Sequence, residues 1–309
     1  MFSDPAVQRF DVDCTLQEQW DLLVQEYRAK KLTYESDRVI AFAGIVKAVK
    51  NKTNLTYLAG IWKEFAEVHL LWSINAPPSK SNDLCQKKKN ELPDVPSWSW
   101  FSVPILEILP GQDMLDFRIP RIVSTNWLYA LYKAKVLSYH HEKLESDPDS
   151  LLYEFSGLGI TLRTHRVEAK LGWEGDTVQL ETLKEYERED ADCWINYIHD
   201  DINVAPGSDL PDNVCMILTV FEAWETHVGG GQRRIGMHGS KQREGGPPIY
   251  RTNWLYTGLV VVPATTERNG ECCFWRRIGV FLVSLSVVGE TDFKTPFRIE
   301  EAEKDIELV

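Results

Sequence analysis

Pro96-Ser97-Trp98-Ser99-Trp100 places two indoles two residues apart. On a strand, positions i and i+2 share a face. On a helix they lie about 200° apart. An indole buries on the order of 150–250 Å², which at roughly 25 cal/mol per Å² is about 4–6 kcal/mol as an upper bound. The spacing therefore predicts a core-anchoring strand over 97–103. Trp98 and Trp100 would share one face, with Ser97, Ser99 and Phe101 on the other. Nothing in this motif is catalytic.

The rest of the chain supports a β-rich protein. Eleven tryptophans suit pleated packing better than a helical bundle. At 309 residues, one large or two modest domains are expected. A net charge of −12, from 34 basic and 46 acidic residues, disfavours nucleic acid and anionic membrane as partners. Met1-Phe2-Ser3-Asp4-Pro5 has no basic region or apolar run of a signal peptide, and no apolar stretch reaches a membrane span. These features predict a soluble cytoplasmic protein. Cys14, Cys85, Cys193, Cys215, Cys272 and Cys273 form no C-x-x-C pair, so buried thiols are expected rather than a metal site or disulfide framework.

The periodicity changes along the chain. Leu16, Trp20, Leu23, Val24 and Tyr27 repeat at helical spacing behind a Thr15–Glu18 capping box. A second helix is predicted from Ser36-Asp37, with Val39, Phe42, Val46 and Val49 on its apolar face. A third covers part of Gly60–Trp72. Residues 76–96 read as loop, with Pro77-Pro78 and a solvated Lys87-Lys88-Lys89 turn. Strands are predicted over 97–103, 116–123, 127–138, 151–162, 176–181, 193–198, 214–224, 254–262 and 272–287. The fold class is α+β: an N-terminal helical layer packed on a mainly antiparallel sandwich or barrel-like remainder.

The domain plan is a helical segment over 1–75, the 76–96 loop, a β-rich domain over 97–290 and an acidic tail over 291–309. The whole could be one cooperative unit if Trp98 and Trp100 pack on the helices. Within the β-rich domain, Glu181–Asp201 holds eight acidic and two basic residues and reads as a solvated, partly helical insertion. Residues 229–251 read as a mobile Gly/Arg loop. The tail alternates acids with apolar residues and is expected to fray.

Candidate chemistry is sparse. Gly229–Arg234 could cradle an anion with Arg233 and Arg234, but it lacks the Walker pattern and reads more simply as surface loop. His140-His141 would point to opposite faces of a strand and so cannot easily serve one site. Asp200-Asp201 beside His199 lacks a third carboxylate at a known loop spacing and reads as a solvated turn. Cys272-Cys273 next to Arg276 and Arg277 could hold a low-pKa thiol, with structural cysteines as the plainer reading. Neither a G-x-S-x-G elbow nor an H-E-x-x-H pair is present.

The motifs in order carry more than any one of them. Arg28–Arg38 (RAKKLTYESDR) is followed by Ala41 and Gly44, then by Tyr57-Leu58-Ala59-Gly60-Ile61-Trp62 and Leu70-Leu71-Trp72. Pro96–Trp100 comes next, and later Gly258-Leu259-Val260-Val261 and Arg276-Arg277-Ile278-Gly279-Val280-Phe281. This series resembles the region downstream of the HET domain in fungal heterokaryon-incompatibility proteins, over about Trp20 to Phe281. The resemblance does not extend to the HET domain itself. Phe101 stands where the family pattern has Ala, and Val39-Ile40-Ala41-Phe42 replaces its LPAL.

The resemblance implies a setting of non-self recognition and programmed cell death. It also implies a protein partner, such as a full-length HET-domain relative, and no cofactor. The family's toxic activity, which resembles that of TIR-like domains acting on NAD, would lie in the HET domain, so no catalytic residue is expected. Trp62, Trp72, Trp98 and Trp100 are the structural markers. Arg233, Arg234, Arg276 and Arg277 are candidate anion or partner contacts. Two other classes stay open. One is a hydrolase or nucleotide-binding enzyme using His140 or His141 with Asp200, Asp201 and the Arg233-Arg234 loop. The other is a sugar- or ligand-binding β module with exposed Trp173, Trp194 or Trp254.

Overall fold

The computed structural model describes residues 16, 19–30, 32–34, 37–74, 95–103, 115–116, 131–132, 134–141, 158–175, 177–186, 191–200, 207, 209–212, 214–227, 232–234, 250–265, 274–288, 297 and 302–309. They form a mixed helix and strand fold with one large, mostly antiparallel sheet.

Two helices open it, α1 over residues 19–28 and α2 over Arg38–Lys50. The apolar spacing buries Trp20, Val24, Val39, Phe42 and Val46, as expected of a helical stripe facing a core. Asp37 precedes α2 but makes no side-chain capping bond, and the capping box at Thr15–Glu18 lies outside the described residues. The third helical stretch predicted within Gly60–Trp72 is present but short, over residues 63–69. A hairpin of β1 (Tyr57–Leu58) and β2 (Ile61–Trp62) leads into a 3-10 turn, then α3 (Ala66–His69) and β3 (Ser73–Ile74). Ala59 and Gly60 have φ of 37° and 104°, and a two-residue hairpin loop with φ positive at both positions is of the primed kind that matches strand twist.

The remaining strands are β4 (Leu115–Asp116), β5 (Leu131–Tyr132), β6 (Lys135–His141), β7 (Leu158–Thr164), β8 (Arg166–Ala169), β9 (Leu171–Glu174), β10 (Thr177–Leu180), β11 (Ala191–His199), β12 (Val214–His227), β13 (Gln232–Arg234), β14 (Tyr250–Thr265), β15 (Phe274–Val288) and β16 (Lys304–Leu308). The long strands β12, β14 and β15 are the centre of a ten-stranded sheet. β8, β5 and β13 line the outer edge of β12. β11 and then β16 line the outer edge of β15, and β7 and β6 continue beyond β16. The path does not close, so the barrel-like alternative is not the form adopted.

Alternation along the central strands divides the core in two. Cys215, Ile217, Val220, Leu259, Val261, Trp275 and Val280 face a cluster that also holds Trp20, Phe42, Trp62, Trp72, Trp98 and Trp100. Met216, Leu218, Val260, Phe281, Val283 and Leu285 face a second cluster with Leu180, Leu183, Tyr197 and Phe297.

Four expectations need correction. Residues 97–103 are not a strand: Ser97 and Trp98 form a turn and Trp100–Ser102 is a 3-10 helix. The acidic segment 181–201 is not a solvated insertion. Glu181–Tyr186 is a 3-10 helix that buries Leu183, and β11 pairs with β15 over nine residues. Part of the Gly/Arg loop is β13, hydrogen-bonded to β12. The tail does not fray, because β16 sits in the sheet with Ile306 and Leu308 buried. Residues 76–94, the Lys87–Lys89 triplet and Cys272-Cys273 lie outside the described residues.

Candidate functional site

The Trp98–Trp100 turn is the point where distant segments meet. A turn exposes backbone groups that a strand would pair, and here several find buried partners. Ser99 Oγ accepts from the Phe101 amide at 3.1 Å, which caps the 3-10 turn, and donates to the Ala59 carbonyl. Trp100 Nε1 donates to the Gly60 carbonyl at 2.7 Å. A Cβ at Gly60 would stand 2.7 Å from that same nitrogen, so the hairpin loop must be glycine there both for its φ and for this close approach. Trp72 Nε1 donates to the Trp98 carbonyl at 2.9 Å.

Three buried arginines surround the turn. Arg28 Nη1 donates to the Trp100 carbonyl at 3.0 Å, and Arg38 Nη1 to the Val103 carbonyl at 3.2 Å. Arg277 enters from β15. Its guanidinium grips Asp200 in bidentate fashion, Nε to Oδ2 at 2.8 Å and Nη2 to Oδ1 at 2.9 Å. It also donates to the Leu70 and Trp72 carbonyls and lies 3.4 Å from the centroid of the Trp72 ring. Burial pulls the Arg277 guanidinium below the ordinary arginine range, and the Asp200 carboxylate opposes that pull. Both ions are therefore compensated at close range, as a buried pair must be. The Arg277 amide donates to Ser97 Oγ at 3.0 Å, and that hydroxyl donates to the Val309 carbonyl.

Two titratable groups lie close by in α3. Burial lowers His69 to about 3, and its Nδ1 accepts from the Trp62 amide at 3.2 Å. The imidazole is thus neutral, with its proton on Nε2. Burial raises Glu67 to about 7, with Lys135 opposing.

All four marker tryptophans, Trp62, Trp72, Trp98 and Trp100, are fully buried and meet in this one cluster. The arginine candidates part company. Arg277 is buried and fully engaged, so it is not a surface for an external anion, whereas its neighbour Arg276 is exposed. Arg234 is level with Trp224, Asn253 and Ser286 across the sheet. Ser286 lies ten residues along β15 from Arg276, roughly 33 Å at about 3.3 Å per residue. The two arginine pairs do not form one site.

Of the residues of the enzyme alternative, His140 and Asp200 stand apart, and Asp201 lies outside the described residues. His140 pairs with Glu307 at 2.9 Å on the exposed face of the sheet, while Asp200 binds Arg277 on the buried side with Trp72. Of the tryptophans proposed for ligand binding, Trp173 and Trp254 are half-buried, and Trp254 packs on the second cluster. Among the described residues no group of three or more His, Cys, Asp or Glu is placed to hold a metal, and no helix is long and apolar enough to cross a membrane.

Asp200 is the residue that sequence reasoning missed. It reads as a solvated acid, yet it is the counter-ion of the joint. The available signal was alternation: Trp275 and Arg277, two apart on an apolar strand, had to share a face, and a cation there needs a partner. Comparison with family models, with curated proteins and with solved structures gives no match.

Proposed function

We propose that this chain is a non-enzymatic recognition or regulatory module of the kind found downstream of the HET domain in heterokaryon-incompatibility proteins. It acts in the cytoplasm through a protein partner, a full-length HET-domain relative being the first candidate, in non-self recognition and the control of cell death. One observation carries this reading. The residues on which the resemblance rests, Arg28, Arg38, Ala59, Gly60, Leu70, Trp72, Ser97 to Trp100 and Arg277, are far apart in sequence yet bonded into one joint. A motif series that co-assembles behaves as the signature of a scaffold rather than as chance matches. On the same reading the helices are an N-terminal layer over one face of a sandwich, and the chain unfolds as one cooperative unit.

The test is co-expression with a full-length HET-domain protein in a fungal host. Altered cell death together with co-purification of the two chains is the expected result. Turnover of NAD by the purified chain alone overturns the proposal.

A further inference from the structure

The slot that holds β16 has the chemistry of a recognition site. β16 fills the space between β7 and β15. It is antiparallel to β7 over five registered residues but meets β15 at the single pair Trp275–Leu308, in parallel. Its inward residues, Ile306 and Leu308, enter the tryptophan-rich cluster beside Ile160 and Trp275. Its outward residues are acids met by basic side chains. Arg163 holds Asp305 through two bonds of 2.8 and 3.1 Å, and His140 Nε2 lies 2.9 Å from Glu307.

The cradle for the second acid is built. His140 is on β6 and must cross β7 to reach Glu307, and it does so over Gly159. A Cβ at Gly159 would stand 2.4 Å from the imidazole. Lys135, registered with Arg163, and Arg276, next to Trp275, are exposed alongside. This cationic rim belongs to a chain of net charge −12. The slot thus selects an extended strand in which acidic and aliphatic side chains alternate, with main-chain bonds giving affinity and alternate pockets giving specificity.

The hold of β16 is suited to exchange. Side-chain exposures of 48% and 50% for Arg163 and Asp305, and 45% and 27% for His140 and Glu307, leave both contacts open to solvent, and the Arg163–Asp305 ion pair to screening. We propose that the slot between β7 and β15 is a docking site for an extended segment of a partner protein in which acidic and aliphatic residues alternate. Residues 304–309 occupy it in cis as a removable strap. Displacing the strap also withdraws Val309 from Ser97 and from the Trp275 carbonyl, so occupancy reports to the tryptophan joint. The biological setting of this proposal rests on the protein-partner reading above; the binding measurement does not.

The test uses the full chain carrying Asp305→Lys and Glu307→Lys, which loosen the strap at exposed positions. The probe is a fluorescent free peptide, Lys-Asp-Ile-Glu-Leu-Val, followed by anisotropy. The variant is expected to bind it saturably and at least about tenfold more tightly than the unsubstituted chain. Adding Arg163→Ala should weaken binding at least about tenfold, and a peptide with lysine at both acidic positions should not bind. Ile306→Ser provides a second variant that loosens the strap from its apolar side. Folded variants that fail to bind the peptide, or that bind both peptides equally, overturn the proposal. So does exchange of residues 304–309 between two copies, seen as a dimer by light scattering, because it makes the occupant a second copy. These readouts involve neither NAD nor cell death, so failure here and failure of the functional reading are distinguishable.

Discussion

The two faces of the central sheet solve burial in different ways. The second cluster is assembled by shape: Phe281 and Phe297 stack with centroids 5.7 Å apart, Tyr256 stacks on Phe297, and Val260, Val283 and Leu285 fill between them. The tryptophan face adds direction. Arg28, Arg38 and Arg277 are buried there, and Nη1 of each, with Ser99 Oγ and the indole nitrogens of Trp72 and Trp100, donates to a named backbone carbonyl. Apolar packing has a graded cost of error, because neighbours relax. A buried donor or charge that loses its partner pays its full desolvation penalty. The joint should therefore be the brittle half of the molecule and the second cluster the tolerant half.

The sharpest challenge to that contrast is Arg277→Met. It strips Asp200 and two carbonyls of their buried partner, and removing one member of such a pair costs about 3–5 kcal/mol. The expected result is a fall of that size in urea-unfolding stability, with Asp200→Asn in the same chain recovering part of it. A loss below about 1 kcal/mol would remove the basis for calling the joint brittle.

The same contrast explains what could be read in advance. The helices at Trp20 and Phe42 were legible because each has one apolar face, and period shows which residues point inward; the long central strands, apolar on both faces, were legible as strand-length apolar runs between turn signals. The burial of Trp98 and Trp100 was legible for the same reason, but their conformation was not. A strand and a turn can both bury two indoles, and the choice was made by the distant carbonyls of Ala59 and Gly60 that Ser99 and Trp100 reach. The role of Asp200 and the seating of β16 were hidden likewise. An acid in an acidic segment carries no sign that a buried arginine from 77 residues away will take it. Tertiary partners, not local propensity, decide such positions.

A smaller effect comes from α3, on the brittle side. Glu67, raised from 4.5 to about 7, favours the folded state when protonated. Its contribution is full below about pH 4.5 and is lost as pH rises towards 7. His69, lowered from 6.5 to about 3, works the other way: its contribution is full above about pH 6.5 and is lost as pH falls towards 3. Between about pH 4.5 and 6.5 the two slopes oppose each other. Glu67→Gln removes one of them, so the variant should lose stability on acidification from pH 6.5 to 4.5 more steeply than the parent. The extra loss should be on the order of 1–3 kcal/mol. Parallel stability curves for the two chains across that window would show that Glu67 does not oppose His69.

Of similar size is Trp72→Phe, which keeps a ring under Arg277 but orphans the Trp98 carbonyl, at a cost of about 1–3 kcal/mol. Its counterpart across the sheet is Leu285→Met, at a fully buried position in the second cluster. Volume is nearly conserved and no polar group is stranded, so the loss should stay below about 1.5 kcal/mol. The pair tests the variable that separates the two faces: both substitutions keep a bulky apolar side chain and only one deletes a donor, with the buried volume that Trp72→Phe removes adding to its cost. If Leu285→Met costs as much as Trp72→Phe by urea midpoint, packing precision limits both faces equally. The directional bonds of the joint would then add specificity without adding fragility.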